Sequence, residues 1–297
     1  MGTALALASM LCFATNILLT RYAMARLGVE AGFFIVLSTN TLFPALLYAA
    51  ELALRDEPFS WNWRAAGLFA IGGVIGMIVG RRMLFDAVRL LGPARASVFH
   101  SSAPAFALVG AWLLAGEGLG IHEIALMAVV WLGLWFTQPR ARLGTGALDS
   151  SLARKGMLAG LVAVAGFGFG NVFRGLAMRI WSEALLGAAI ASVAALALQL
   201  LLTRHWAGIA AQLRKADRAG LALYFGCGVA TSFGAILIAL AMLHMEIALA
   251  VLIVHTTPLV IFPVSVFVLK HREELSLRAL AGAVMVLAGV ALLAVRA

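Results

Sequence analysis

Ten apolar stretches follow one another along almost the whole chain: 2–24, 31–51, 65–88, 95–115, 119–138, 157–178, 182–203, 219–243, 247–269 and 277–296. A lipid hydrocarbon core about 30 Å thick is crossed by roughly 20 helical residues, each rising 1.5 Å. Inside lipid every backbone N–H and C=O must be satisfied within the protein, so only helices and closed barrels span it. The runs are long and lack the alternation of barrel strands. They predict an all-α integral membrane protein with ten transmembrane helices. Composition agrees, with 63% hydrophobic and 12% charged residues, against roughly half and a quarter in soluble domains. The first run is longer than a signal-peptide core and has no basic segment before it, so it is read as a retained span. The longest polar stretches, 52–64, 140–155 and 204–218, leave no room for a soluble domain.

The net charge of +9 is spread between the apolar runs instead of forming a stripe. Lipid surface and a small-molecule substrate are therefore the expected partners, and nucleic acid is not. Cys12 and Cys227 both lie inside apolar runs, which excludes a disulfide framework and a cysteine-built zinc site. No GxxxxGK[ST] loop is present, and His122-Glu123 lacks a second histidine at metal-ligating spacing. The chain is thus expected to hold no ATP site, no metal and no cofactor, and not to be an enzyme.

The sequence repeats itself. Val98-Phe99-His100-Ser101-Ser102 matches Ile253-Val254-His255-Thr256-Thr257, 155 residues later. A proline follows each, Pro104 and Pro258, and then an acidic residue past the run, Glu117 and Glu273. Phe13-Ala14-Thr15-Asn16 corresponds to Gly168-Phe169-Gly170-Asn171 at the same offset, and Gly67-Leu68 to Gly220-Leu221 at 153 residues. The expected organisation is a first five-helix repeat over 1–139, a linker over 140–156 and a second repeat over 157–297. With an odd number of spans in each, the second repeat enters from the opposite side. Two inverted five-helix repeats are a framework of secondary transporters, in which exchange of the two conformations exchanges inward and outward access.

The chain resembles the EamA-like members of the drug/metabolite transporter superfamily. The resemblance rests on Leu84-Phe85-Asp86-Ala87, Leu91-Gly92-Pro93-Ala94-Arg95-Ala96, Ala103-Pro104 and Gly116-Glu117. In the second half it rests on Pro258, Arg272-Glu273-Glu274-Leu275-Ser276, Ala281-Gly282 and Ala288-Gly289-Val290. It implies five plus five helices in a membrane, the inner (plasma) membrane if the source is bacterial, and transport of amino acids, nucleotide sugars, phosphorylated sugars, cations or drugs. It also implies cytoplasmic termini. Of the 22 Lys and Arg, 17 lie nearest odd-numbered links, and the preference of basic residues for the cytoplasm puts the termini outside instead. Labelling a cysteine placed within 140–155 from one side of the membrane separates the two orientations.

Ionisable groups inside spans usually face a cavity, which singles out Arg81, Arg82, His100, Arg174 and His255 as substrate-binding candidates, with Asn16 and Asn171. Arg81 and Arg82 are either snorkelling residues at the end of the third span or submerged ones. Arg82 and Asp86 stand four apart and are expected to pair. His100 and His255 are twins followed by hydroxyl residues, suited to anchoring a substrate or coupling protons. On the topology expected here, His100 approaches Arg81 and Arg82, and His255 lies on the side where the sixth span ends with Arg174. Ser38, Thr39, Asn40, Thr231 and Ser232 lie between these groups, although hydroxyls often bond their own helix. Buried arginine matches carboxylate or phosphate through paired hydrogen bonds, and intramembrane acids are scarce. The expected activity is secondary transport of a small anionic or zwitterionic metabolite, with protons or a counter-substrate as the coupled partner. A lipid-carrier flippase or scramblase on the same fold and an intramembrane enzyme using His100 and His255 are the alternatives. Gly72, Gly76 and Gly80 are expected to bring a neighbouring helix close, and Trp61 and Trp63 to anchor the interface.

Overall fold

The computed structural model describes residues 1–55, 59–91, 99, 102–118, 120–137 and 150–263, together with 278, 281, 282, 284–286, 288, 289 and 292. These residues are helical or lie in turns and links. In chain order the helices are α1 (Gly2–Met24), α2 (Val29–Leu54), α3 (Trp63–Gly73), α4 (Arg81–Leu91), α5 (Ala103–Ala115), α6 (Ile121–Thr137) and α7 (Ser150–Ile180). They continue with α8 (Ala184–Leu202), α9 (Trp206–Lys215), α10 (Arg218–Ala241), α11 (Ile247–Val254) and α12 (Pro258–Pro263). Between α3 and α4 the helix does not stop; Val74–Gly80 forms π-helical turns. Among the described residues six helices are long and apolar enough to cross a membrane: 2–24, 29–54, 63–91, 154–180, 184–202 and 218–241. Shorter apolar helices fall in the expected fourth, fifth and ninth spans. Most of the expected tenth span lies outside the described residues.

The chain forms two compact units, Met1–Val74 with Phe173–His244, and Ile75–Val172 with Met245–Ala297. Each draws on both sequence repeats. In the first unit α1 runs antiparallel to α10, as three contacts in reversed order show. Ser9 Oγ donates to the Gly234 carbonyl at 2.7 Å, Thr20 Oγ1 meets Cys227 Sγ at 3.4 Å, and Arg26 pairs with Asp217. α2 packs on α10 in the parallel sense, with the Tyr224 ring against Gly32 and Thr39 against Gly228. The polar side chains here are tied up locally. The end of the Asn40 amide that faces α10 lies 2.8 Å from the Gly228 carbonyl, so it is the NH2, which also reaches Thr231 Oγ1 at 2.9 Å and Ser232 Oγ at 3.1 Å. α8 closes the unit on α3, where Gly187 admits the Phe69 ring and Gly73 meets the backbone of Ala191.

Caps fix where these helices begin. Asn62 Oδ1 accepts the Ala65 N–H at 3.1 Å, and Asp217 Oδ1 accepts the Gly220 N–H at 2.8 Å, each satisfying a first-turn donor. The Gly220 N–H and the Arg26 guanidinium hold the Asp217 carboxyl below its ordinary value. Trp61 and Trp63 join Phe59 and Trp181 in an aromatic cluster, with Trp61 and Trp181 centroids 5.3 Å apart. Beside it Arg55 pairs with Glu183 at 2.6 Å.

In the second unit the first part of α7 is the element on which the others pack. The π-helical turns meet it glycine to glycine. A Cβ on Gly166 would lie 3.0 Å from the Gly80 Cα, and one on Gly76 would lie 3.8 Å from the Gly170 Cα. The packing expected of Gly76 and Gly80 is therefore present. The fourth span lies along the same helix, with Phe99 against Gly160, Ala103 and Ala107 against Gly168, and Gly110 against Phe169 and Val172. α11 packs on α5 and α6.

Three local features depart from the plain reading of the runs. Residues 150–156 are the helical start of α7. The polar stretch 204–218 contains a helix, α9, whose Ile209 and Leu213 pack within the first unit. The ninth span is not continuous: α11 ends at Val254 and α12 begins at Pro258.

Candidate functional site

The break in the ninth span follows from its sequence. Pro258 has no N–H, and its ring excludes the carbonyl four residues back, which is that of Val254. The carbonyls released are taken by side chains. Thr257 Oγ1 donates to the Val254 carbonyl at 2.6 Å and Thr256 Oγ1 to that of Ile253 at 2.6 Å. His255 Nδ1 lies 2.8 Å from the Val251 carbonyl; because a carbonyl only accepts, Nδ1 carries the proton. His255, Thr256 and Thr257 thus form a self-satisfied turn inside a helix whose eight residues before it are all buried.

Described residues at the matching position of the fourth span make hydrogen bonds of the same kind. Ser102 N–H donates to the Phe99 carbonyl at 2.8 Å, and Thr257 N–H to that of Val254 at 3.3 Å. Ala105 N–H reaches the Ser102 carbonyl at 3.1 Å, and Val260 N–H that of Thr257 at 3.0 Å. Every partner in the second pair of bonds stands 155 residues after its counterpart in the first. Pro104 sits in the first turn of α5, where no N–H is needed. His100 itself lies outside the described residues, as does Ser101.

The fourth and ninth spans are joined by a carboxylate. α5 ends at Gly116, whose φ of 66° is a left-handed conformation that a side chain resists. The turn delivers Glu117, 8% exposed, to the start of α11. Its Oε1 accepts the Ile247 N–H at 2.8 Å and its Oε2 the Ala248 N–H at 3.4 Å. Glu246, the residue in capping position, makes no side-chain cap, so the N-terminus of α11 is capped from another helix. α5 and α11 therefore run antiparallel. The sequence reading placed Gly116-Glu117 in a motif and gave it no task. The signal was an acidic residue after a glycine at the end of an apolar run, close to what a distant helix N-terminus requires.

Arg81 and Arg82 are half-buried at the start of α4, and the helix continues past them to Leu91. The helix does not end at them. Asp86 has Arg89 as its ion-pair partner, 3.8 Å away, not the expected Arg82. Asn171 Nδ2 donates to the Phe167 carbonyl of its own helix at 3.0 Å. It follows Gly170 at one end of the glycine crossing, and Arg81 follows Gly80 at the other. The second unit thus holds Arg81, Arg82, Asn171 and His255. Asn16 and Arg174 belong to the first. There Asn16 Oδ1 lies 3.4 Å from Thr20 Oγ1, and its carbonyl 3.8 Å from Cys227 Sγ. Arg174 is half-buried in the last part of α7.

Comparison with known proteins bears on this arrangement. Residues 1–138 match the model of the EamA-like transporter family. A solved crystal structure superposes with a TM-score of 0.73 at 19% identity, over 100% of this chain and 99% of that one. At that identity the likeness speaks for the fold alone, and it reaches well beyond residue 138. No curated protein sequence matches. Residues 1–138 are therefore similar to the EamA-like transporter family, part of the drug/metabolite transporter superfamily, and the long apolar helices are those of an integral membrane protein.

Proposed function

We propose that the protein is a secondary transporter that moves a small solute bearing a carboxylate or phosphate by alternating access between two inverted five-helix repeats. The observation that supports it is the helix break between Val254 and Pro258, together with two hydrogen bonds there whose counterparts in the fourth span, Ser102 to Phe99 and Ala105 to Ser102, stand 155 residues earlier. Non-helical backbone at membrane depth is tolerated where it is buried or lines a cavity, and discontinuous helices in related positions of two repeats are where transporters bind substrate. In this reading His255 presents polar atoms at its break, His100 is its counterpart in the sequence, and the solute is held near the midplane. Arg81 and Arg82, ten and nine residues before the end of their helix, supply the cationic partner for the anion. Their planar guanidinium groups favour carboxylate and phosphate over cations. Coupling to protons or exchange against a second solute completes the cycle.

The reading is tested in proteoliposomes. Arg82→Ala is expected to reduce uptake of a carboxylate- or phosphate-bearing solute at least tenfold, with Arg82→Lys intermediate because it keeps the charge and loses the paired geometry. Uptake by Arg82→Ala equal to that of the parent overturns the assignment of an anionic substrate.

A further inference from the structure

One end of the first unit carries a strong charge that the transport reading leaves unused. α1 ends there with Arg21 in its last turn, and the link to α2 carries Arg26. α9 and its flanks bring Arg204, Arg214, Lys215 and Arg218 to the same end, all exposed. Contacts hold these pieces together. Arg26 pairs with Asp217, a Cβ on Gly220 would touch the Arg26 Cβ at 3.2 Å, and Gly28 packs against the Gln212 side chain. α9 lies on the end of α2, with Phe34 and Trp206 ring centroids 5.0 Å apart. Its apolar stripe is turned inward: Ile209 is 4% exposed and shares a cluster with Leu27, Ala31 and Phe34. The basic residues therefore face outward. Arg26 is matched by Asp217, and the other five cationic groups stand against one further exposed acidic residue, Glu30. Trp206 and Tyr22, 42% and 49% exposed, are the aromatic types enriched at the headgroup level.

We propose that this face, built from α9, the end of α1 and the α1–α2 link, is a docking surface for anionic phospholipid headgroups. The six basic groups are held around a short helix whose apolar stripe is spent on the protein, so attraction to the bilayer surface is electrostatic. A lipid phosphate layer offers many charges at once, which a dispersed set of exposed side chains can meet together. A single inorganic phosphate offers one. Attraction of this kind is counted per basic residue near an anionic surface and fades within a Debye length.

The test uses the full chain in neutral detergent micelles, with phosphatidylglycerol or phosphatidylcholine added at equal mole fraction, and reads the thermal unfolding midpoint. Phosphatidylglycerol is expected to raise the midpoint more than phosphatidylcholine. The triple variant R204Q/R214Q/K215Q is expected to lose more than half of that difference. These positions are exposed and keep the inward stripe of α9 intact. Independently of any variant, raising ionic strength from about 0.05 M to about 0.5 M should shrink the advantage, because the Debye length falls severalfold. A triple variant with the full difference, an advantage indifferent to salt, or the same stabilisation by inorganic phosphate overturns the proposal. None of these outcomes depends on what Arg82 does.

Discussion

Substituting Gly73 with alanine is expected to lower the melting temperature by about 4 °C or more, while alanine at Gly67 on the same helix leaves it unchanged or raises it. The two positions differ in what a methyl group would meet. At Gly67 nothing lies within 4 Å of the added carbon. There the substitution only removes the backbone freedom of glycine in a helix, worth up to about 1 kcal/mol in favour of alanine. At Gly73 the added carbon would overlap the backbone carbonyl of Ala191 on α8. A backbone carbonyl cannot rotate aside, so α3 and α8 must separate and the aromatic and alanine contacts around Phe69 loosen with them. Overpacking of this kind costs about 1–3 kcal/mol even where side chains can adjust, and each kcal/mol is about 2–4 °C for chains approaching this size. Equal melting of the two variants in one detergent would contradict the close contact of α3 with α8.

Glu117→Ala is expected to be the most damaging single substitution in the second unit. It removes the acceptor of the Ile247 N–H and the Ala248 N–H at the start of a helix whose eight residues are all buried. Water does not replace the lost partner easily, and a buried donor left unmatched costs about 1–3 kcal/mol. A total near 2–4 kcal/mol follows, with loss of transport, since α11 leads directly into the turn at His255. Glu117→Gln keeps an oxygen for the Ile247 N–H, loses the longer bond from the Ala248 N–H because its NH2 cannot accept, and gives up the charge facing the helix dipole, worth about 1 kcal/mol. The order parent, glutamine, alanine in melting temperature supports the cap; alanine equal to glutamine counts against it.

Hydropathy made the long helices legible. The runs 2–24, 31–51, 182–203 and 219–243 coincide within a few residues with α1, α2, α8 and α10. It averages over about 20 residues and is blind to hydrogen-bond register, which is why it missed the local departures. The π-helical turns at Val74–Gly80 change the register without changing the composition. The break at 255–257 sits in an apolar run that reads as continuous unless Pro258 and the hydroxyls before it are weighed as helix-stopping signals. α9 was hidden by the basic residues in and around it, although Trp206, Ile209 and Leu213 stand at helical spacing, continued by Ala216 just past its end. The site residues were legible as residue types, and less so as partners. Arg81 and Arg82 read equally as helix ends until the helix was seen to reach Leu91. Asp86 was matched with the wrong arginine because i,i+3 and i,i+4 spacing are equally open on a helix surface. Glu117 was invisible as a cap, because its partner lies 130 residues away.

The claim at the centre of this account is that the chain carries a solute by exposing one site to the two sides of the membrane in turn. Trans-stimulation in proteoliposomes tests it most directly. Vesicles containing the protein are loaded with an unlabelled carboxylate- or phosphate-bearing metabolite, and entry of the labelled form from outside is followed. A carrier of this kind predicts entry that saturates with concentration, is faster into loaded vesicles than into empty ones, and is weakened by Arg82→Ala. Entry that rises linearly with concentration and ignores the internal pool would contradict alternating access.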